Sequence, residues 1–211
     1  MEWNNLDRDA TKAFIENLGV RRDAIPFSLH TTEVVSKNLP FYKDYNLYRV
    51  TNYATMPAFS VFYAACLEED KENFVVLDGT AQAIYTTNEK ASINLTETNV
   101  IDYLNFFFKY IQGPDGDIFL IKEPNDMPFL ESLSNDQKES IISCHHPIKI
   151  SSDVMPHSFQ VSGTLYYDGG LISATIQVHA DGKIDIKNQN LLLQGIHFPQ
   201  NPVSYSWVAG D

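Results

Sequence analysis

The sequence predicts an α+β fold, in which a mainly antiparallel curved sheet packs against a central aromatic-rich helix, with an N-terminal helix and a second short helix. Three patterns support this fold class. Apolar residues alternate late in the chain, between residues 159 and 188, as in antiparallel strands that bury one face. A middle segment has almost two apolar faces at helical spacing. Two further segments carry the start and stop signals of helices.

The first predicted element is a helix near the N-terminus. Apolar residues recur there at helical spacing, at Leu6, Ala10, Phe14 and Leu18. Gly19 follows as a stop signal, so we expect a helix over residues 6–18. Residues 21–45 contain two prolines and have mixed polarity, and we expect them to form mainly loop. This predicts an N-terminal helix and extended arm over residues 1–45.

Short apolar runs in the middle of the chain are typical of β-strands. The predicted strands are Leu47–Tyr53, Ala58–Leu67, Phe74–Leu77, Ala81–Tyr85 and Ile118–Lys122. Met56-Pro57 separates the first two, and a polar turn at residues 68–73 makes the third a hairpin partner of the second. These runs begin the predicted α+β domain, which extends over residues 46–198. Residues 199–211 are expected to be an irregular tail.

The predicted central helix runs from Thr96, a potential cap, to Ile111, and Gly113-Pro114 stops it. Its polar residues occupy one narrow arc, at Asp102, Asn105, Lys109 and Gln112. Two apolar arcs remain, one with Val100, Leu104, Phe107, Phe108 and Ile111, the other with Tyr103, Phe106 and Tyr110. Because a surface helix normally has one apolar stripe, we expect this helix to be covered on two sides.

The second short helix is predicted by its cap. Ser134 is followed three residues later by Gln137, which is the spacing of a capping box. We expect the helix to run to Cys144 and to end at His145-His146-Pro147.

Two turns determine the register of three strands late in the chain. Asp168-Gly169 suits a two-residue type I′ turn, and a three-residue loop over residues 180–182 places Gly182 at a bulge. The resulting pairs are apolar on one face: Leu165 with Ile172, Val161 with Ile176, and Val178 with Ile184. Gly163 pairs with Ala174 on that face and leaves a notch, across which we expect the central helix to lie.

Composition limits the possible partners and compartment. The 211-residue chain has a net charge of −12, whereas nucleic acids and anionic membranes need basic surfaces. We therefore expect neither as a partner. The sequence has no apolar segment of membrane length and no secretory signal pattern. Cys66 and Cys144 fit no metal spacing or disulfide framework, so we expect a cytoplasmic protein without a metal or cofactor.

No catalytic motif is present in the sequence, and no catalytic residue is predicted. His145 and His146 are interpreted as residues that end a helix. Cys144 lies at a helix C-terminus, where a thiolate is not favoured. The acidic turn Asp115-Gly116-Asp117 lacks the further ligands of a calcium loop.

The aromatic content is the strongest functional signal. Tyr103, Phe106, Tyr110 and Tyr166 are predicted to bind a ligand or partner, because together they exceed what one small core requires. Three uses remain open. These side chains could pack against the N-terminal helix, line a small-molecule pocket or form a homodimer face.

Two functional hypotheses follow from these patterns. The first is a non-enzymatic cytosolic module that binds a small apolar ligand or a protein partner. The alternative is a small hydrolase or isomerase, with His145 or His146 as the base and Asp102 or Asp117 as the residue that orients it.

Overall fold

The computed structural model describes residues 2–19, 27–67, 73–112, 118–127, 130–152 and 156–195. The helices are α1 (Arg8–Gly19), α2 (Ala81–Ala91), α3 (Val100–Tyr110) and α4 (Asn135–Cys144). The strands are β1 (Asn4–Asn5), β2 (Thr32–Asn38), β3 (Asn46–Asn52), β4 (Phe59–Cys66), β5 (Asn73–Val76), β6 (Ile118–Ile121), β7 (Lys149–Ser152), β8 (Phe159–Tyr167), β9 (Gly170–Val178) and β10 (Ile184–Leu193).

The strands form two antiparallel sheets, which confirms the predicted α+β class. The first sheet has the order β1-β2-β3-β4-β5. In the second sheet β9 lies between β10 and β8. The other edge of β8 is shared, because β6 pairs with its residues 164–167 and β7 with its residues 159–162. The sequence had predicted one curved sheet, and the division into two is a finding of the structure.

Helices and sheets alternate in layers. The largest core contains residues of α2 and α3 together with Leu47 and Ala64 of the first sheet and Val161 and Ile176 of the second. Helix α3 is therefore covered on two sides, as its two apolar arcs predict. Helix α1 packs on the opposite face of the first sheet, and α4 packs on the opposite face of the second.

The late strands have the predicted register. Leu165 pairs with Ile172, Val161 with Ile176, Val178 with Ile184, and Gly163 with Ala174. Asp168 and Gly169 both have positive φ, at 45° and 74°, as a type I′ turn requires. Gly182 has a φ of 80° at the end of the three-residue loop. Apolar alternation and turn residues were therefore sufficient to predict this meander.

The predicted second short helix is confirmed, the N-terminal helix runs over Arg8–Gly19 instead of residues 6–18, and the start of the central helix is corrected. Ser134 and Gln137 form a reciprocal capping box, and α4 ends at Cys144. Helix α3 begins at Val100 instead of Thr96, and the residue at its cap position is Asn99, whose side chain makes no capping hydrogen bond. The Oδ1 atom of Asn99 accepts a hydrogen bond from the amide of Thr96 at 2.8 Å. Gly113-Pro114 lies outside the described residues.

Two segments were assigned wrongly from the sequence. The predicted strand Ala81–Tyr85 is the first part of α2, whose cap is Thr80. The predicted loop over residues 21–45 contains β2, which pairs with all seven residues of β3. The predicted arm thus includes a strand of the first sheet. The domain boundaries remain a prediction, and the tail over residues 199–211 lies outside the described residues.

The prediction that the central helix lies across the notch at Gly163 is wrong. A Cβ atom at Gly163 would lie 3.3 Å from Cγ1 of Ile148 and 3.8 Å from the carbonyl oxygen of His146. These neighbours belong to the connection between α4 and β7. The connection, and not α3, is therefore what lies nearest to the notch.

Candidate functional site

Tyr103, the first predicted binding residue, is completely buried. Its hydroxyl group donates a hydrogen bond to the carbonyl oxygen of Gly182 at 2.6 Å and accepts one from Nδ2 of Asn88 at 2.8 Å. The Oδ1 atom of Asn88 accepts a hydrogen bond from the hydroxyl of Tyr42. Through these hydrogen bonds, Tyr103 of α3 connects α2 and the β9–β10 hairpin.

Phe106 and Tyr166 are also buried. The ring of Phe106 lies 5.4 Å from that of Phe41. Tyr166 lies on the outer face of the late meander, where it is covered by the cluster that includes α4. The expectation that the aromatic set packs against the N-terminal helix is wrong, because Phe14 of α1 belongs to a separate cluster on the far face of the first sheet. Binding of a ligand by Phe106 and Tyr166 remains a prediction.

Tyr110 alone among the four predicted residues is only partly buried, and it belongs to a mixed surface that we call the cationic aromatic cluster. Its members are Trp3, Lys37, Arg49, Phe62, Lys109 and Tyr110. The ring centroid of Phe62 lies 5.0 Å from that of Tyr110 and 6.5 Å from that of Trp3. The three rings form a connected row beside the end of α3.

Three cations lie along this row. The Nζ atom of Lys37 is 5.7 Å from the ring centroid of Trp3, and Cζ of Arg49 is 5.2 Å from the same centroid. The Nζ atom of Lys109 is 5.9 Å from the ring centroid of Tyr110. Lys37 and Arg49 are diagonal neighbours on one face, since Lys37 pairs with Leu47 in the register of β2 and β3.

The cations are incompletely neutralised. Burial, followed by the charges of Lys37 and Arg49, lowers the pKa of Lys109 below its ordinary value. Nη2 of Arg49 lies 3.9 Å from a carboxylate oxygen of Glu33, whereas Lys37 and Lys109 have no ion pair within the part of the chain that the structure describes. The Nε atom of Arg49 is buried and has no hydrogen-bond partner among the described residues.

The histidines of the acid–base hypothesis do not meet their predicted partners among the described residues. His145 is the residue that ends α4, as predicted, and its Nε2 atom lies 3.2 Å from the carbonyl oxygen of Ile121. The amide of His146 donates to the hydroxyl of Thr164 at 2.8 Å. Neither histidine has a hydrogen bond to Asp102, and Asp117 lies outside the described residues.

A different histidine has a carboxylate partner. Nε2 of His179 lies 2.9 Å from Oδ2 of Asp185, and this hydrogen bond lowers the pKa of Asp185. Both residues, with Ser158, line an open cleft of about 390 Å³. Neither residue was among the candidate acid–base residues predicted from the sequence, although the predicted register already made Asp185 the diagonal neighbour of His179. The acid–base alternative remains a prediction.

Most of the cationic aromatic cluster was missed by the sequence reasoning. Trp3 belongs to no periodic pattern, and Lys37 lies in the strand that was assigned as loop. Arg49 and Phe62 lie in correctly predicted strands, where each could have been assigned to a face. No local signal indicated that α3 would bring Lys109 to the same place.

The described residues contain no group of three or more histidine, cysteine, aspartate or glutamate side chains that could hold a metal ion. Within the same ranges, no helix combines the length and apolar character needed to span a bilayer. Comparison with protein-family models, with curated proteins and with solved structures gave no match.

Proposed function

We propose that this protein is a non-enzymatic binding module, and that the cationic aromatic cluster receives a small ligand with an anionic group and an apolar part. This ligand differs from the small apolar ligand expected from the aromatic content, because it carries an anionic group as well as an apolar part. The observation that supports it is that Lys37, Arg49 and Lys109 all lie within 5.9 Å of a ring centroid in one row of aromatic side chains, on a chain with a net charge of −12. Grouped like charges are unfavourable unless an anion neutralises them.

The geometry of the cations supports an anionic group on the ligand. Arg49 is held against Trp3, and within the described ranges its partly exposed guanidinium group has only the long ion pair with Glu33, at 3.9 Å, so donors remain for a ligand. Lys109 approaches from the end of α3, on the other side of Phe62. A carboxylate or phosphate between these side chains would accept charge-assisted hydrogen bonds from both.

The rings support an apolar part on the ligand. Trp3, Phe62 and Tyr110 are each partly buried, so their remaining surface is open beside the cations. Aromatic rings provide a large contact area with little conformational freedom to lose. A ligand that combines an aromatic ring with one anionic group fits both features. A protein partner that presents an acidic segment is the competing occupant.

We also propose that the protein is located in the cytoplasm. Cys66 is a buried free thiol and Cys144 is a partly buried one, which is consistent with a reducing environment.

Calorimetric titration with phenyl phosphate tests the proposal, with phenol and inorganic phosphate as the two halves of the ligand. We expect phenyl phosphate to bind more tightly than either half. Lys109→Gln should weaken its binding about tenfold or more, since a hydrogen bond to a charged group contributes roughly 1.5–3 kcal/mol. Lys90→Gln, which removes an exposed charge from α2, is the matched control and should bind as the parent protein does.

The pH dependence gives a second readout. An anion favours the charged form of Lys109, so the affinity should fall as the pH rises through the lowered pKa of this residue. In Lys109→Gln that fall should be smaller. Absence of binding, or equal weakening by Lys90→Gln and Lys109→Gln, would contradict the proposal. Binding of an acidic peptide in place of phenyl phosphate would support the protein partner.

A further inference from the structure

The outer face of the second sheet is divided into two halves. Tyr166 and Leu171 form an apolar half, which is buried beneath the segment that contains α4. The remaining half of this face carries polar side chains from β7, β8, β9 and β10. Part of it forms a groove of about 420 Å³. This volume lies within the range of small-molecule sites.

The strand register places one polar row across the groove region. Lys149 pairs with Ser162, Ser162 with Thr175, and Thr175 with Lys187. Two hydroxyl groups therefore lie between two lysines. With strands about 4.8 Å apart, the Cα atoms of the lysines are about 14 Å apart. Lys149 lines the groove, and Lys187 lies outside the lining at the far end of the same row, from which its long side chain can extend towards a ligand over the hydroxyls.

The hydroxyls of the groove are free to bind. Ser162, Ser173 and Thr175 have no side-chain hydrogen bond within the described ranges, although each is only partly exposed. Thr164, which pairs with Ser173, differs from them because its hydroxyl accepts a hydrogen bond from the amide of His146 at 2.8 Å. The free hydroxyls thus belong to the groove, whereas the hydrogen-bonded one is buried outside its lining.

A β-bulge turns amide side chains towards the same groove. The pairing of β10 with β9 shifts between Lys187 and Asn190, and Asn188 has a φ of 51°. Asn188 and Asn190 both line the groove. Bulges frequently redirect side chains beside binding sites. Nδ2 of Asn190 donates a hydrogen bond to the carbonyl oxygen of Asn188 at 3.3 Å, and the remaining amide groups add donors and acceptors next to the hydroxyl row.

The described lining of the groove carries a positive charge. It includes Lys149 but no carboxylate, although the chain has a net charge of −12. Asp185 lies in the next row, where it is hydrogen-bonded to His179 at 2.9 Å and also interacts with the charge of Lys187. The described lining also has no phenylalanine, tyrosine or tryptophan on which a flat ring could stack.

We propose that this groove is a second binding site, independent of the cationic aromatic cluster, and that it takes a phosphorylated sugar. The serine, threonine and asparagine side chains match a ligand with several hydroxyl groups, because both sides can donate and accept. The lysines match the phosphate as point charges. The absence of a stacking surface in the described lining favours a polyol over a nucleobase.

Calorimetric titration with glucose 6-phosphate, glucose and inorganic phosphate tests this site. We expect the sugar phosphate to bind at least tenfold more tightly than glucose or phosphate alone. The double variant Lys149→Gln/Lys187→Gln should lose at least tenfold in affinity for glucose 6-phosphate. Ser162→Ala/Thr175→Val should also weaken that binding, without a change of charge. Lys109→Gln, which belongs to the other site, and Lys90→Gln should leave it unchanged.

Three outcomes would contradict the proposal that the groove binds a phosphorylated sugar. In the first, inorganic phosphate binds as tightly as the sugar phosphate, which shows attraction of an anion without recognition of the hydroxyls. In the second, Lys149→Gln/Lys187→Gln keeps the full affinity. In the third, glucose 6-phosphate fails to bind at millimolar concentration. Because Lys109→Gln is included, failure of this site is distinguishable from failure of the cationic aromatic cluster.

Discussion

Tyr103 illustrates how one polar atom in a core can join several elements. Its ring is buried with Phe41 and Phe107, and its hydroxyl group is hydrogen-bonded to Asn88 and Gly182. Burial raises the pKa of this hydroxyl well above its ordinary value, so it remains protonated and able to donate. Of the aromatic residues predicted to bind a ligand, Tyr103 is therefore a buried packing residue, whereas Tyr110 lies partly on the surface.

We expect Tyr103→Phe to lower the free energy of unfolding by about 1–3 kcal/mol. The variant keeps the ring but leaves the carbonyl of Gly182 without its donor at 2.6 Å. Denaturant unfolding measures the difference. Tyr53→Phe is the matched control, since the hydroxyl of Tyr53 is exposed and should contribute little. Equal stability of Tyr103→Phe and the parent protein would contradict the role of this hydrogen bond.

At the scale of elements, local signals predicted α4 and the late meander, because their caps and turns act within a few residues. Ser134 and Gln137 satisfy each other, and Asp168-Gly169 fixes its own hairpin. Local signals failed for β2, where the two buried residues, Val34 and Val35, are adjacent and face opposite sides. They failed for α2 because alternating apolar residues at its start resembled a strand, although Thr80 was available as a cap.

The packing of the α4–β7 connection against Gly163 can be tested by substitution. Gly163→Val should lower the free energy of unfolding by about 1–3 kcal/mol, because a Cβ at this position would lie 3.3 Å from the side chain of Ile148. If Ile148 is the obstacle, removing it should relieve the strain. The double variant Gly163→Val/Ile148→Ala should therefore be more stable than the sum of the single effects by at least about 0.5 kcal/mol, measured by denaturant unfolding.

Additive effects in that cycle would contradict the contact between the α4–β7 connection and the notch. A cycle with Phe107→Ala is the control, since Phe107 belongs to α3, the helix that the sequence had placed over Gly163. We expect no coupling between Phe107 and the valine at position 163.

At the scale of the whole molecule, buried tyrosines make stability depend on alkaline pH. Burial raises the pKa values of Tyr42 and Tyr103, and it raises the pKa of Tyr110 to about 12. In the unfolded chain these groups lose their protons near 10. Above that pH the unfolded state binds fewer protons than the folded state, so the free energy of unfolding should fall. Lys109, whose pKa is lowered, contributes with the opposite sign.

Denaturant unfolding at about pH 8 and about pH 11 measures this fall. A variant with both Tyr42→Phe and Tyr103→Phe should be less stable at pH 8 but should lose less stability between the two pH values. An equal loss in the variant and the parent protein would show that other groups dominate the alkaline transition.

The sequence by itself determined the α+β class, the register of β8, β9 and β10 and the ends of α4. These features depend on residues that are near each other along the chain, so alternation, caps and turns are sufficient to specify them. Only the tertiary structure decided that there are two sheets with α2 and α3 between them. It also brought Trp3, Arg49 and Lys109 together, because their contact depends on the packing of distant segments and not on any local pattern.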